Sequence, residues 1–171
     1  MNNYEVLSKN CKIRWIENFD LTTQKYKQVS GYVFNDNNEL LIVKNKDTWT
    51  IPGGHPEVYE YTTGTLIREI MEEACVSINK IKYLGAVEVV ENNETYYQLR
   101  YIARVKDVLE FVKEWETSER KFVKLEDLNQ YIKWYDGFTF RAQLETIKRV
   151  LNKDYWYEPR FLDIETRFLY G

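Results

Sequence analysis

The stretch Gly54–Val76, GHPEVYEYTTGTLIREIMEEACV, decides how this chain is read. Its second half, from about Thr63, has the spacing of an amphipathic helix, with Thr62 or Thr63 placed to cap it. At about 100° per residue with Leu66 at zero, Ile67, Ile70, Met71 and Ala74 fall within about 140° of arc. Glu69, Glu72 and Glu73 fall on the other side, between about 240° and 340°. One face is therefore expected to bury and the other to present three carboxylates together. Glu69 and Glu73 form an i,i+4 pair of like charge, and Arg68 is spaced to reach only Glu72. A Glu-rich helix face is ordinarily a solvated one. Here the repulsion lacks an interleaved lysine, and the helix follows a Pro52-Gly53-Gly54 loop, where backbone can approach a ligand closely. Hard oxygen donors beside such a loop suit Mg²⁺ or Mn²⁺. A divalent cation turns the repulsion into a binding site and brings an anionic phosphate with it.

Working outward, the flanking pattern alternates as strands do. Lys12 to Glu17 reads as a strand. Tyr32-Val33-Phe34 and Glu39 to Lys44 read as a hairpin turning through Asn35 to Asn38. DTWTIPGG, from Asp47 to Gly54, reads as a short strand ending in the Pro-Gly-Gly loop. After the helix, IKYLGAVEVVEN and ETYYQLRYIARVK read as two strands joined at Asn92-Asn93. A strand from about Lys121 runs into a short helix. Phe140, Leu144, Ile147 and Leu151 mark a last helix at four-three-four spacing. Strands, one helix, more strands and a late helix predict an α+β fold, a mixed β-sheet flanked by helices.

With 171 residues, 44% hydrophobic and 30% charged, the chain suits one soluble globular domain with a proper core. The net charge of -3 and the mixture of signs carry no strong nucleic-acid signal. Cys11 and Cys75 have neither metal-binding nor redox spacing, so a reducing, cytoplasmic location is the default. No apolar run is long enough to cross a bilayer, and no apolar signal region opens the chain. His55 is the only histidine, which excludes a multi-histidine metal site and leaves any Ser-His-Asp triad dependent on that one residue. No Gly-x4-Gly-Lys-Ser/Thr phosphate loop is present.

Gly54, Glu60, Arg68, Glu69, Ile70, Glu72, Glu73 and Val76 resemble the Nudix box, Gly-x5-Glu-x7-Arg-Glu-U-x-Glu-Glu-x-Gly-U, where U is a bulky apolar residue. They match eight of its nine defined positions over 23 residues. The departure is Cys75, which stands where the family has the glycine that ends the helix in a left-handed conformation. The resemblance implies a Nudix-like α/β/α sandwich over residues 29–152. Residues 1–28 are then an N-terminal extension packed on the domain, and 153–171 an aromatic C-terminal tail.

The resemblance further implies divalent-metal-dependent hydrolysis of a pyrophosphate bond in a nucleoside diphosphate derivative. Glu69, Glu72, Glu73 and the Gly53 carbonyl would hold Mg²⁺ or Mn²⁺. Arg68 would hold the carboxylates in position, and Glu60 would brace the Gly54 loop against the helix. A further glutamate often completes such sites from a loop before a late strand. Glu116 and Glu119 are the best-placed candidates, with Glu114 behind them and Glu88 and Glu91 weaker. The downstream markers of the ADP-ribose, dinucleoside polyphosphate, coenzyme A and NADH types are absent. A nucleoside triphosphate or modified nucleotide is therefore the default substrate. Trp49, Tyr32, Tyr97, Tyr101 and the Trp134-Tyr135 pair are candidates to stack on a base. The alternative class is a non-catalytic regulatory domain that binds a nucleotide or sugar nucleotide. A homodimer through residues 1–30 or the tail is compatible with either.

Overall fold

A computed structural model describes residues 3–21, 26–153 and 156. Among them, nine strands, two α-helices and one 3-10 helix follow in the order β1 (Glu5–Ser8), β2 (Cys11–Glu17), β3 (Tyr26–Phe34), β4 (Leu40–Asn45), β5 (Thr48–Thr50), β6 (Gly53–Gly54), α1 (Thr62–Ala74), β7 (Val76–Glu91), β8 (Glu94–Val108), β9 (Thr117–Val123), the 3-10 helix (Leu125–Gln130) and α2 (Phe138–Leu151). The sheet runs β1-β2-β7-β8-β3-β4-β5, with β6 on β3 and β9 on β4. β3 and β8 are parallel and the other pairs antiparallel, so the sheet is mixed, as expected.

Alternation along the central strands makes two cores. Val29, Val33, Leu41 and Val43 face α1, together with Leu99 and Tyr101. Tyr32, Phe34, Leu40 and Ile42 face α2, together with Ile102 and Trp15. These are the two faces of a pleated sheet with period two. Both faces are covered by a helix, so the central strands read as near-continuous apolar runs.

One departure from regular pairing shapes the molecule. β3 and β4 pair only at Phe34 and Leu40. Beyond that point they part, and the segment from β5 to β6 fills the wedge. β5 pairs with β4, β6 pairs with β3 at Val29 and Ser30, and the Pro52 carbonyl accepts the Gly31 N–H at 3.0 Å. The glycine loop is thus built into the sheet.

Several boundaries differ from expectation. α1 starts at Thr62 with Tyr61 as N-cap, and neither threonine caps it through its side chain. Of the expected apolar stripe, Ile67 is exposed and Met71 half-buried, while Leu66, Ile70 and Ala74 bury against the sheet together with Thr62, Thr63 and Thr65. β7 begins directly after α1 and, with β8, makes a longer hairpin than predicted. Its turn is Asn92-Asn93, both at positive φ (51° and 64°), which asparagine tolerates. β9 starts at Thr117, four residues before Lys121, because backbone pairing with β4 continues through its charged residues.

The stretch expected as an N-terminal extension supplies β1 and β2, and β2 pairs with β7 along Cys11–Glu17. The expected tail from 153 lies outside the described residues except for Lys153 and Trp156. Trp156 packs on the α2 side and donates its Nε1–H to the Val150 carbonyl at 3.3 Å. No described helix is long and apolar enough to cross a membrane.

Candidate active site

Burying Leu66, Ile70 and Ala74 against β3 and β4 turns Arg68, Glu69, Glu72 and Glu73 along one flank of α1, beside the β6 loop. Glu73 Oε1 accepts the Gly53 N–H at 2.8 Å. A Cβ on Gly54 would lie 2.4 Å from the Glu69 carboxyl carbon, so only glycine lets that carboxylate lie against the loop.

Arg68 is the hub of the cluster. Its Nε and Nη2 grip Glu60 at 2.7 and 3.0 Å, a bidentate pair. Nη1 donates to Glu69 at 2.8 Å and to Glu72 at 3.2 Å, and Nη2 also reaches the His55 carbonyl at 3.0 Å. The sequence expectation that Arg68 compensates only one helix carboxylate is corrected. The guanidinium fork spans neighbours at i+1 and i+4 at once.

The electrostatics follow from these partners. Arg68 holds the Glu60 carboxyl down at about 2, against the effect of burial, with help from Thr65 Oγ1 at 2.6 Å and the Glu57 N–H at 3.0 Å. Burial pushes Glu73 up to about 7. The Gly53 N–H opposes this, and the charges of Glu69, Glu116 and Glu72 add to it. Burial also raises Glu69, with Arg68 opposing.

The remaining candidates divide. Glu116 immediately precedes β9 and accepts from Asn45 Nδ2 at 3.4 Å, near enough for its charge to raise Glu73. With Asn45, Lys46, Thr48 and Thr50 it lines an open cleft of about 630 Å³. Glu119 was expected in a loop, but it lies within β9 and pairs with Lys44 at 3.2 Å. Glu114 is exposed in the preceding segment. Glu88 is buried in a separate network with Arg14 (2.9 and 3.3 Å), Tyr97 (3.1 Å) and the Tyr4 hydroxyl. Those hydrogen bonds hold its carboxyl low despite burial. Glu91 accepts from Tyr96 at 3.1 Å.

His55 contacts the Lys27 carbonyl through Nδ1. Most of the aromatic candidates are already engaged. Tyr32 and Tyr101 are fully buried, Tyr97 stacks on Phe19 at 4.3 Å, and Trp134 and Tyr135 pack on Phe140. Trp49 meets Tyr131 edge-on, and Lys44 and Lys121 lie over its ring.

Sequence reasoning missed the groups that hold the end of α1. Arg120 Nη1 donates to the Ala74 and Cys75 carbonyls at 2.6 and 3.2 Å, and Thr117 Oγ1 donates to the Glu73 carbonyl at 2.6 Å. These are carbonyls a helix end leaves unpaired. Both donors lie more than forty positions away in the chain, at a register that local pattern does not reveal. Cys75 adopts the left-handed conformation of the glycine it replaces, with φ 53° and ψ 44°.

As placed, no three His, Cys, Asp or Glu side chains among the described residues converge closely enough to hold one ion. Glu69 and Glu72 rest on Arg68, and Glu73 rests on Gly53. The chemistry of the donors nonetheless fits a hard divalent cation. They are carboxylate oxygens, and the charges of Glu69, Glu72 and Glu116 add to the effect of burial on Glu73, a repulsion that a bound cation would relieve.

The sequence model of the NUDIX domain matches residues 25–142. Diphosphoinositol polyphosphate phosphohydrolase 3-alpha of Mus musculus is 34% identical over 97 residues, covering 52% of this chain and 57% of that protein. Diphosphoinositol polyphosphate phosphohydrolase 2 of Homo sapiens is 33% identical over 97 residues, covering 52% and 51%. The chain thus spans little more than half the length of these curated relatives. Among solved structures, a mutant of the Bacillus subtilis pyrophosphohydrolase BsRppH superposes with a TM-score of 0.71 at 17% identity, over 81% of this chain and 91% of that one. The NUDIX domain of Shewanella oneidensis NrtR, complexed with ADP ribose, superposes with a TM-score of 0.58 at 18% identity, over 79% and 95%. At these identities the structural likeness is one of fold. The domain model spans well over half of the residues and takes in the whole glutamate-bearing loop and helix, and the chain belongs to the Nudix family.

Proposed function

We propose that this protein hydrolyses a pyrophosphate bond in a nucleoside diphosphate derivative, with Mg²⁺ or Mn²⁺ held by Glu69, Glu72, Glu73 and the Gly53 carbonyl. The observation that carries the reading is the flank of α1. Three carboxylates crowd beside a glycine loop, and one of them, Glu73, is pushed up to about 7 by burial, with the charges of its carboxylate neighbours adding to it. When bound, the cation neutralises phosphate charge, stabilises the leaving phosphate and activates water.

The chain's own residues supply the rest. Arg68 keeps Glu69 and Glu72 aligned, Glu60 anchors Arg68, and the Gly53 N–H aims Glu73. Water oxygen bonds to phosphorus, the P–O anhydride bond breaks, and its electron pair leaves with the departing phosphate. The water proton passes to a carboxylate, and Glu72, Glu73 and Glu116 are the candidates. Glu119, already paired with Lys44, is the weaker choice.

A nucleoside triphosphate or modified nucleotide is the default substrate. A diphosphoinositol polyphosphate is the second reading, favoured by the names of the curated relatives. A cytoplasmic setting suits the two free thiols, and a homodimer is the assembly to look for. The test is Mg²⁺- or Mn²⁺-dependent release of phosphate or pyrophosphate over a panel of nucleoside triphosphates, ADP-ribose and a diphosphoinositol polyphosphate. Turnover that chelator abolishes is the expected result. Tight nucleotide binding with no hydrolysis across the panel would establish the regulatory alternative instead.

A further inference from the structure

Arg100 differs from the arginines that hold carboxylates. Arg14 has Glu88, Arg68 has Glu60, and Arg149 has Glu17. Arg100 has no carboxylate partner among the described residues. Its Nη2 donates to Gln98 Oε1 at 2.8 Å and its Nη1 to the Leu99 carbonyl at 3.3 Å. Its Nε is sealed from solvent and has no hydrogen-bond partner. The Tyr32 hydroxyl lies beside the guanidinium and is itself tied to Gln143 Oε1 at 2.6 Å. Burial pulls the group below its ordinary range, but an arginine in a protein stays charged. A buried cation without an anion is costly, and an apolar side chain of similar volume would cost the apo fold less.

Its position ties it to the site. In the sheet, Arg100 pairs with Ser30 of β3, and Ser30 pairs with Gly53 of β6. Neighbouring strands lie about 4.8 Å apart, so the Arg100 backbone is about 10 Å from the glycine whose N–H holds Glu73. Residues opposite one another point to the same face, which puts Arg100 and Ser30 on the α2 side with Tyr32 and Ile102. Its partner in β7 is Gly85, which places no side chain over it. Arg100 taken as a whole residue is half-buried.

We propose that Arg100 is a substrate-binding residue whose guanidinium receives an anionic phosphate oxygen of the substrate, on a phosphate other than the one attacked at Glu72 and Glu73. This assignment rests on the pyrophosphohydrolase reading and extends it. The substrate bridges the Gly53–Ser30–Arg100 row, and Arg100 selects molecules carrying a further phosphate on the α2 side.

The test compares wild type with Arg100→Met and Arg100→Lys. Thermal unfolding of the metal-free proteins, with and without inorganic tripolyphosphate, is measured beside steady-state kinetics on the best panel substrate. Arg100→Met is expected to melt at or above the wild-type temperature, to lose the stabilisation by tripolyphosphate, and to raise KM by about tenfold or more with little change in kcat. Arg100→Lys restores part of the affinity. An Arg100→Met protein that melts well below wild type, or fails to fold, would show a structural role and overturn the assignment. Unchanged KM and unchanged tripolyphosphate stabilisation would do the same. If wild type hydrolyses nothing, the enzymatic reading fails, and the tripolyphosphate measurement still decides whether Arg100 binds phosphate.

Discussion

Glu60 and Glu73 are carboxylates of one short motif, yet their acidities sit at opposite ends of the carboxylate range, about 2 and about 7. The difference lies in what each faces. Glu60 accepts a bidentate arginine and two further donors, whereas Glu73 is half-buried among other anions with one backbone N–H. The residue that gains most from a cation is therefore Glu73. Glu73→Gln and Glu72→Gln are expected to remove most metal-dependent turnover, on the order of a hundredfold or more, while far-UV circular dichroism stays unchanged. Near-wild-type kcat in both variants would reject the metal-site assignment. Cys75 offers a test in the other direction. A non-glycine residue in the left-handed region costs about 1 kcal/mol, so Cys75→Gly should stabilise the fold by about that amount in urea titrations. A loss of stability would mean that the contact of its sulfur with the Val112 N–H at 3.5 Å outweighs the strain.

The two helices are held at their ends by groups from distant strands. α1 ends on Arg120 and Thr117 of β9. α2 begins at Gly137 without a side-chain cap of its own, and Glu5 of β1 accepts the Thr139 N–H at 2.7 Å in its place. That contact is capping in trans, with the charge sign a helix N-terminus favours. Glu5→Ala should destabilise the protein by about 1 kcal/mol, read from chemical denaturation. No change would mean that Glu5 is merely adjacent. The loop before α1 is braced by Glu60. Its folded pKa is depressed from the usual 4.5 to about 2, so its contribution is complete above pH 4.5 and is lost as pH falls from 4.5 towards 2. The size is on the order of 2 to 3 kcal/mol. Glu60→Gln should flatten the acid limb of the stability curve in that window, and an unchanged limb would place the acid sensitivity elsewhere.

Glu73 has the opposite linkage. Its raised pKa favours the metal-free fold when protonated, so that contribution is present below pH 4.5 and lost as pH rises through about 7. Cation binding needs the deprotonated form. The rise in melting temperature on adding millimolar Mg²⁺ or Mn²⁺ should therefore be larger at pH 8 than at pH 6, and equal shifts at both would contradict a carboxylate site. Much of this arrangement could be read from local pattern. The buried stripe of α1, the Asn92-Asn93 turn and the α2 stripe are each set by a few adjacent residues. The clustering of Glu69, Glu72 and Glu73 follows from helical period alone. Long-range pairing could not be read that way. The early start of β9, the grip of Arg120 on α1, the cap from Glu5 and the lone charge of Arg100 depend on which distant strand lies alongside. A lone arginine in an alternating strand looks like any surface residue until the register sets Ser30 beside it.

The bond from Glu5 to α2 spans 134 positions, and β2 in turn waits for Gly85–Glu91 of β7. A chain made from its N-terminus produces β1 and β2 first and satisfies them late. The long β7–β8 hairpin, whose contacts are close in sequence, can form well before α2 exists. A nascent chain stopped short of residue 138 would already carry the whole carboxylate helix and the strands beneath it. The opposite face of its sheet would still lack α2, and Trp15, Tyr32 and Ile102 would have only the segment around Leu128 and Ile132 to pack against. The order of synthesis thus favours completing the half that carries the carboxylates before the half that covers Arg100, and it leaves the earliest strands the longest exposed to unwanted pairing.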